Sequence, residues 1–189
     1  HGHGDHFNRP TCRVLAENGG CTFVIPANCL DTAGECDIPK ERIQVPRPRE
    51  PFDIAGFHVE PQRALHGHAR FAVNSTANFD DCGYLLTLDG KRILQPGDSV
   101  LLKDHFELEH VDVLFVSPTE HNMHVERSAD LITTLDPEHV FPQHFATYIK
   151  TEQNRFWTKG YPDELRARLP EPMQRRFHKL NQGEVFLIE

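Results

Sequence analysis

The first six residues of the chain, His1-Gly2-His3-Gly4-Asp5-His6, put four side chains able to bind a metal into one short stretch. Two glycines between them let the backbone turn tightly and aim several donors at one point. Imidazole nitrogen with carboxylate oxygen is the donor mixture that borderline metals such as zinc favour, and a second ion close by can share a bridging hydroxide. The bland alternative is a His-rich tag or tail. Tags are plain His runs, whereas Asp5 and Phe7 here fit a specific pattern.

The chain around this cluster is 189 residues long, enough to bury a core, and it is expected to form a single domain over 1–189. With 38% hydrophobic and 25% charged residues it has the profile of a soluble globular protein rather than a disordered one. A formal net charge of -8 provides no overall basic field, so nucleic acid and anionic membranes are not expected partners. The basic stretch from Lys159 to Lys179 reads as a solvated helix face. No apolar run approaches the ~18 residues needed to span a bilayer, and the polar start is unlike a signal sequence, so a cytoplasmic location is the expectation. Cys12, Cys21, Cys29, Cys36 and Cys82 are odd in number and contain no C-x-x-C pair, which argues against a disulfide framework. The spacing of Cys21, Cys29 and Cys36 fits no common zinc pattern.

Patterning predicts a helix from Arg9 to Asn18 closed by Gly19-Gly20, then a buried strand from Cys21 to Ala27. Pro46, Pro48 and Pro51 make Ile43 to Pro51 an edge strand or loop, and Phe52 to Leu65 contains an alternating, sheet-like stretch. A polar loop is expected between His66 and Asp81. Tyr84 to Leu88 and Arg92 to Leu94, joined by Asp89-Gly90, predict a hairpin. Val111 to Val116 reads as a buried strand, Glu126 to Leu135 as a helix, and Val140-Phe141 as a short strand ending at Pro142-Gln143-His144. Pro162 to Leu180 reads as mainly helical with interruptions near Pro170 and Pro172, and Gly183 to Ile188 as a terminal strand. His105 and His110, in a charged stretch, read as surface residues, and Phe156 and Trp157 as packing residues.

The H-x-H-x-D-H motif resembles the signature of the metallo-β-lactamase superfamily, and later candidates follow in that family's order. His66 in Ala-Leu-His-Gly resembles the third His, Asp98 in Pro-Gly-Asp-Ser the metal-bridging Asp, and His144 in Phe-Pro-Gln-His-Phe the last His. The resemblance runs from His1 to about His144, and among branches it is closest to the ascorbate-6-phosphate lactonase-like group and related phosphodiesterases. It implies an α/β fold, the four-layer αββα sandwich, with two divalent metal ions, zinc ahead of manganese or iron. His1, His3 and His66 would hold the first ion, Asp5, His6 and His144 the second, and Asp98 would bridge them. The implied activity is a metal-dependent hydrolase in which a metal-bridging hydroxide cleaves a small ester, lactone or phosphodiester. Asp5 would also orient the nucleophile or pass a proton to the leaving group.

His68 competes with His66 for the third-His position, and His66 is favoured because it directly follows a strand. Ser99 stands where the family usually has Thr. The family also has several strands before the motif, so the N-terminal part of the first sheet is expected to be missing from this chain. Without those strands one sheet would expose an apolar face and edge. A fragment is the favoured explanation, and a second copy or a partner chain completing the sheet is the alternative. His121, His124 and Tyr148 are further candidates for contact with a small-molecule substrate, as is Thr147. A non-catalytic or redox metal-binding member of the same fold is the competing function. Redox relatives usually carry a flavin-binding domain or an acidic residue in place of the third His, and neither is visible here.

Overall fold

Asp89 and Gly90 both take positive φ, 50° and 80°, the geometry of a two-residue hairpin whose twist matches its strands. They join β5 (Cys82–Leu88) to β6 (Lys91–Gln95), as the Asp-Gly between apolar runs predicts. In this computed structural model, which describes residues 1–67, 78–119, 122–145, 151–153 and 160–188, the hairpin is the middle of a six-stranded mixed sheet. β3 (Phe52–Ile54) and β4 (Phe57–Arg63) lie on one side, β7 (Val113–Val116) and β8 (His139–Pro142) on the other. Pairing is antiparallel from β3 to β6 and parallel from β6 to β8. Parallel neighbours need a crossover, and α3 (His124–Leu135) provides it between β7 and β8.

A second sheet pairs β1 (Phe23–Val24) with β2 (Ile43–Gln44) in parallel. The strand expected over Cys21 to Ala27 is only two residues long because Pro26 offers no N–H and a 3-10 turn starts at Ala27. Before it, α1 (Arg9–Asn18) has the predicted bounds. Asn8 Oδ1 caps it by accepting from Thr11 N at 3.0 Å, and a proline lies in its first turn. At the far end the Arg42 guanidinium donates to the carbonyls of Leu15, Ala16 and Cys21 at 3.2, 2.8 and 2.9 Å, tying the last turn and Cys21 beyond it to the start of β2. α2 (Leu30–Glu35) completes this half.

Two apolar clusters set the layers. Ile25, Ala33, Cys36 and Ile38 pack with Phe7, Ala16, Phe23 and Ile43, which places α1 and α2 against the small sheet. Leu85, Leu94 and Leu114 of the large sheet meet Leu131 and Ile132 of α3 and Leu165 of α4 (Gly160–Arg168). All six of those side chains are fully buried, each worth about 1.5–3 kcal/mol of transfer free energy. The result is an α/β protein with helices flanking a mixed sheet, helix–sheet–sheet–helix in order.

Two expectations are corrected. Gly183 to Ile188 forms no strand, because the outer edge of β8 is already paired: Val140 N donates to Arg176 O and His178 N to Val140 O, each at 2.8 Å. From that segment Phe186 packs on the rings of His139, Phe141 and His178, while Val185 and Leu187 are exposed. His105 is fully buried rather than a surface residue. The helical reading of Pro162 to Leu180 breaks at Pro170, which caps a short α5 (Glu171–Gln174). The five cysteines are free thiols. Among the described residues no helix is long and apolar enough to cross a membrane. His68, His121, Thr147, Tyr148, Phe156 and Trp157 lie outside the described residues.

Candidate metal centre

The motif closes on itself before the first helix begins. His6 N and Phe7 N both donate to His3 O, at 3.0 and 2.7 Å, and Asn8 then caps α1. This tight turn brings His1, His3 and His6 to one side, with the His1 ring 4.5 Å from His3 and 4.2 Å from His6, centroid to centroid.

Three loops at the strand ends of the large sheet bring the remaining donors. His66 follows β4, where Leu65 N donates to Ser99 Oγ at 3.0 Å and Val100 N to Leu65 O at 2.9 Å. Ser99, fully buried, thus ties the His66 loop to the loop holding Asp98. Asp98 follows Gly97, whose φ of 68° is a left-handed conformation that glycine adopts without strain and whose N–H donates to Gln95 Oε1 at 3.1 Å. His144 follows β8 and is itself left-handed at φ 60°, a conformation a non-glycine residue keeps only when its surroundings hold it. Gln143 supplies that hold: its N–H donates to Val116 O at 2.8 Å and its side chain pairs with Gln95.

Two donor groups result. His1, His3 and His66 each offer a ligand atom, all within 4.8 Å of one another, and so do Asp5, His6, Asp98 and His144. Asp98 links the groups. Its Oδ2 lies 3.1 Å from His6 Nε2, 3.3 Å from His144 Nε2 and 3.7 Å from His66 Nε2. Asp5 Oδ2 stands 3.3 Å from His144 Nε2.

Burial works against a charged Asp98, but the imidazoles of His144 and His6 outweigh it and hold the carboxyl well below the usual carboxylate range. His66 is pushed down by burial, which Asp98 only partly offsets, and His144 is pushed up by its hydrogen bond to Asp98. The donors fit a cation: five imidazoles and two carboxylates converge, and the buried His1 Nε2 has no hydrogen-bond partner among the described residues. A cavity of about 380 Å³ opens beside them, lined by His1, His6 and Asp98 and by apolar groups including Phe7, Phe23 and Ile25.

All seven sequence-derived ligand candidates therefore stand together. His124 stands apart from them: its Nδ1 contacts Glu126 and its ring packs edge-on to Tyr161 at 5.9 Å. The groups that brace the ligands, Gln95, Gln143, Ser99 and Asn122, are amides and a hydroxyl that carry no metal-ligand pattern in the sequence. Asn122 is fully buried and donates from Nδ2 to Asp98 Oδ1 at 2.9 Å. Its sequence signal is slight, a lone amide between His121 and Met123.

The chain belongs to the metallo-β-lactamase superfamily: the family described as the beta-lactamase superfamily domain matches residues 1–145. A metal-dependent hydrolase from Carboxydothermus hydrogenoformans is 25% identical over 167 residues, covering 85% of this chain and 71% of the relative. One from Bacillus pumilus is 26% identical over 195 residues, covering 100% of this chain and 79% of the relative. The crystal structure of a candidate metal-dependent hydrolase from Parabacteroides distasonis superposes with a TM-score of 0.67 at 18% identity, over 95% of this chain and 72% of that one. These relatives' names agree with an enzymatic role for this chain.

Proposed function

We propose that this chain is a two-metal hydrolase acting on a small ester, lactone or phosphodiester. His1, His3 and His66 would hold one ion, Asp5, His6 and His144 the other, and Asp98 would reach both. The observation that carries the reading is the place of Asp98 Oδ2, within 3.7 Å of an imidazole from each donor group. Nitrogen-rich sites with carboxylate oxygen suit zinc, with manganese and iron as alternatives. Bound there, the ions would supply Lewis acidity and a water acidic enough to act as a nucleophile near neutral pH.

The chain's own groups do the rest. Asp98, ionised and 4% exposed, fixes the charge at the centre. Asp5 is its exposed counterpart, with 59% of its side chain accessible, and is placed to orient an attacking water or to pass a proton to the leaving group. The sequence likeness to the ascorbate-6-phosphate lactonase-like group favours cyclic or phosphorylated substrates. Metal analysis after growth in supplemented medium tests the reading, with close to two ions per chain expected and Asp98→Ala losing occupancy. No bound transition metal would overturn it; with metal bound, a hydrolysis screen over lactones, phosphodiesters and β-lactams would assign the substrate class.

A further inference from the structure

We propose that Asn122 is a positioning residue for the metal centre, selecting which oxygen of Asp98 faces the histidines; this rests on the two-metal reading above. Asn122 lies on the turn between β7 and α3, where its N–H and that of His124 both donate to Thr119 O, at 3.1 and 3.0 Å. Its side chain is fully buried, and Nδ2 donates to Asp98 Oδ1 at 2.9 Å and to Ser117 Oγ at 2.8 Å, with Thr119 Oγ1 at 3.3 Å.

The orientation of this amide is determined by charge. Turned the other way, its carbonyl oxygen would meet the Asp98 carboxylate, acceptor against acceptor, between two buried groups where the repulsion is strong. Ionised Asp98 therefore requires the NH₂ group on its side. Oδ1 is occupied by that donor, and Oδ2 is the oxygen left to His6, His66 and His144. Ser117 Oγ and Thr119 Oγ1, 3.2 Å apart, both lie within reach of the same Nδ2, so Thr119 still accepts from the amide when Ser117 is removed. The carboxylate thus cannot rotate to present both oxygens to the centre without breaking a buried, charge-assisted hydrogen bond.

Groups that orient a metal ligand typically govern metal affinity by roughly 10- to 100-fold. Zinc titration of metal-free protein against a chromophoric chelator should show a loss of about tenfold or more in Asn122→Ala and in the volume-matched Asn122→Asp. The visible absorption of cobalt(II)-loaded protein should shift, because the presentation of Asp98 changes. Ser117→Ala, which removes an acceptor of the amide without touching Asp98, should lower the unfolding temperature and leave zinc affinity within about threefold, the scale of ordinary context effects rather than of a lost orienting group.

Wild-type protein that binds no zinc would overturn the metal-centre reading itself. Wild-type protein that binds zinc, with Asn122 variants that match its affinity and cobalt spectrum, would overturn the positioning role alone. The same holds if Ser117→Ala loses as much affinity as Asn122→Ala, or if both Asn122 variants stay unfolded with zinc present, since Asn122 would then serve only the fold.

Discussion

The side-chain amides of Gln95 and Gln143 exchange two hydrogen bonds, at 2.6 and 2.8 Å, and clamp the end of β6 to the end of β8 across the intervening β7. Gln95 Oε1 also accepts from Gly97 N, so the same pair steadies the approaches to both Asp98 and His144. Gln143→Ala removes both bonds and should destabilise the protein by about 1–2 kcal/mol, at about 1 kcal/mol net per hydrogen bond. Chemical denaturation reads this directly. Zinc affinity should fall along with it, since left-handed His144 keeps only the backbone bond from Gln143 N to Val116 O, and an unchanged midpoint with unchanged affinity would show the clamp to be idle.

Gly83 makes a second, steric tie between β5 and the Asp98 loop. A Cβ there would stand 2.8 Å from the Pro96 backbone, closer than real side chains approach. Gly83→Ala must push Pro96-Gly97-Asp98 away or strain the strand, and overpacking of this kind costs about 1–3 kcal/mol. The expected result is a lower unfolding temperature; a midpoint equal to that of the parent protein would show the loop to be compliant.

What the sequence disclosed and what it hid divide by contact range. The opening motif, the helix from Arg9 to Asn18 and the Asp89-Gly90 hairpin are local patterns, read from neighbours a few residues apart, and the helix and the hairpin have their predicted form. His66, Asp98 and His144 were legible through order of occurrence and resemblance rather than through any local pattern. The groups that hold them were not, because Leu65 reaches Ser99 over 34 residues, Asn122 reaches Asp98 over 24 and Gln95 reaches Gln143 over 48. An amide or hydroxyl has no periodicity that marks it as a brace. His105 differs for the opposite reason: its charged neighbours suggest surface, while the chain buries its ring and buries Asp104 beside it against Arg63 and Arg49.

That inward His105 makes stability depend on acid. Its Nδ1 accepts from Leu102 N at 3.1 Å, its Nε2 has no partner among the described residues, and burial pushes its pKa down to about 4. The unfolded chain takes up a proton near its ordinary pKa of 6.5, whereas the folded one refuses it until about pH 4. Stability is therefore full above pH 6.5 and falls as pH drops through that window, by on the order of 3 kcal/mol. Asp104, held down to about 2 by Arg63 and Arg49, adds stability above its ordinary value of 3.8 that is lost as pH falls from there toward 2. Denaturation midpoints across pH 7 to 4 should show the first slope, and His105→Phe should flatten it; an equal slope in the variant would place the acid sensitivity elsewhere.

The two donor groups predict different losses for different ligands. His3 belongs only to the group of His1 and His66, and His144 only to the group of Asp5, His6 and Asp98. Asp98, whose Oδ2 faces both, is the member whose removal should empty both positions. His3→Ala and His144→Ala should each retain about one ion per chain, and the double variant should retain essentially none. Hydrolysis should be lost in both single variants if the chemistry needs two ions acting on one water. The measurement is metal content by emission spectroscopy beside activity on the best substrate. Full activity in a one-ion His3→Ala protein would assign catalysis to the Asp5, His6, Asp98 and His144 group and leave the three-histidine group a structural part.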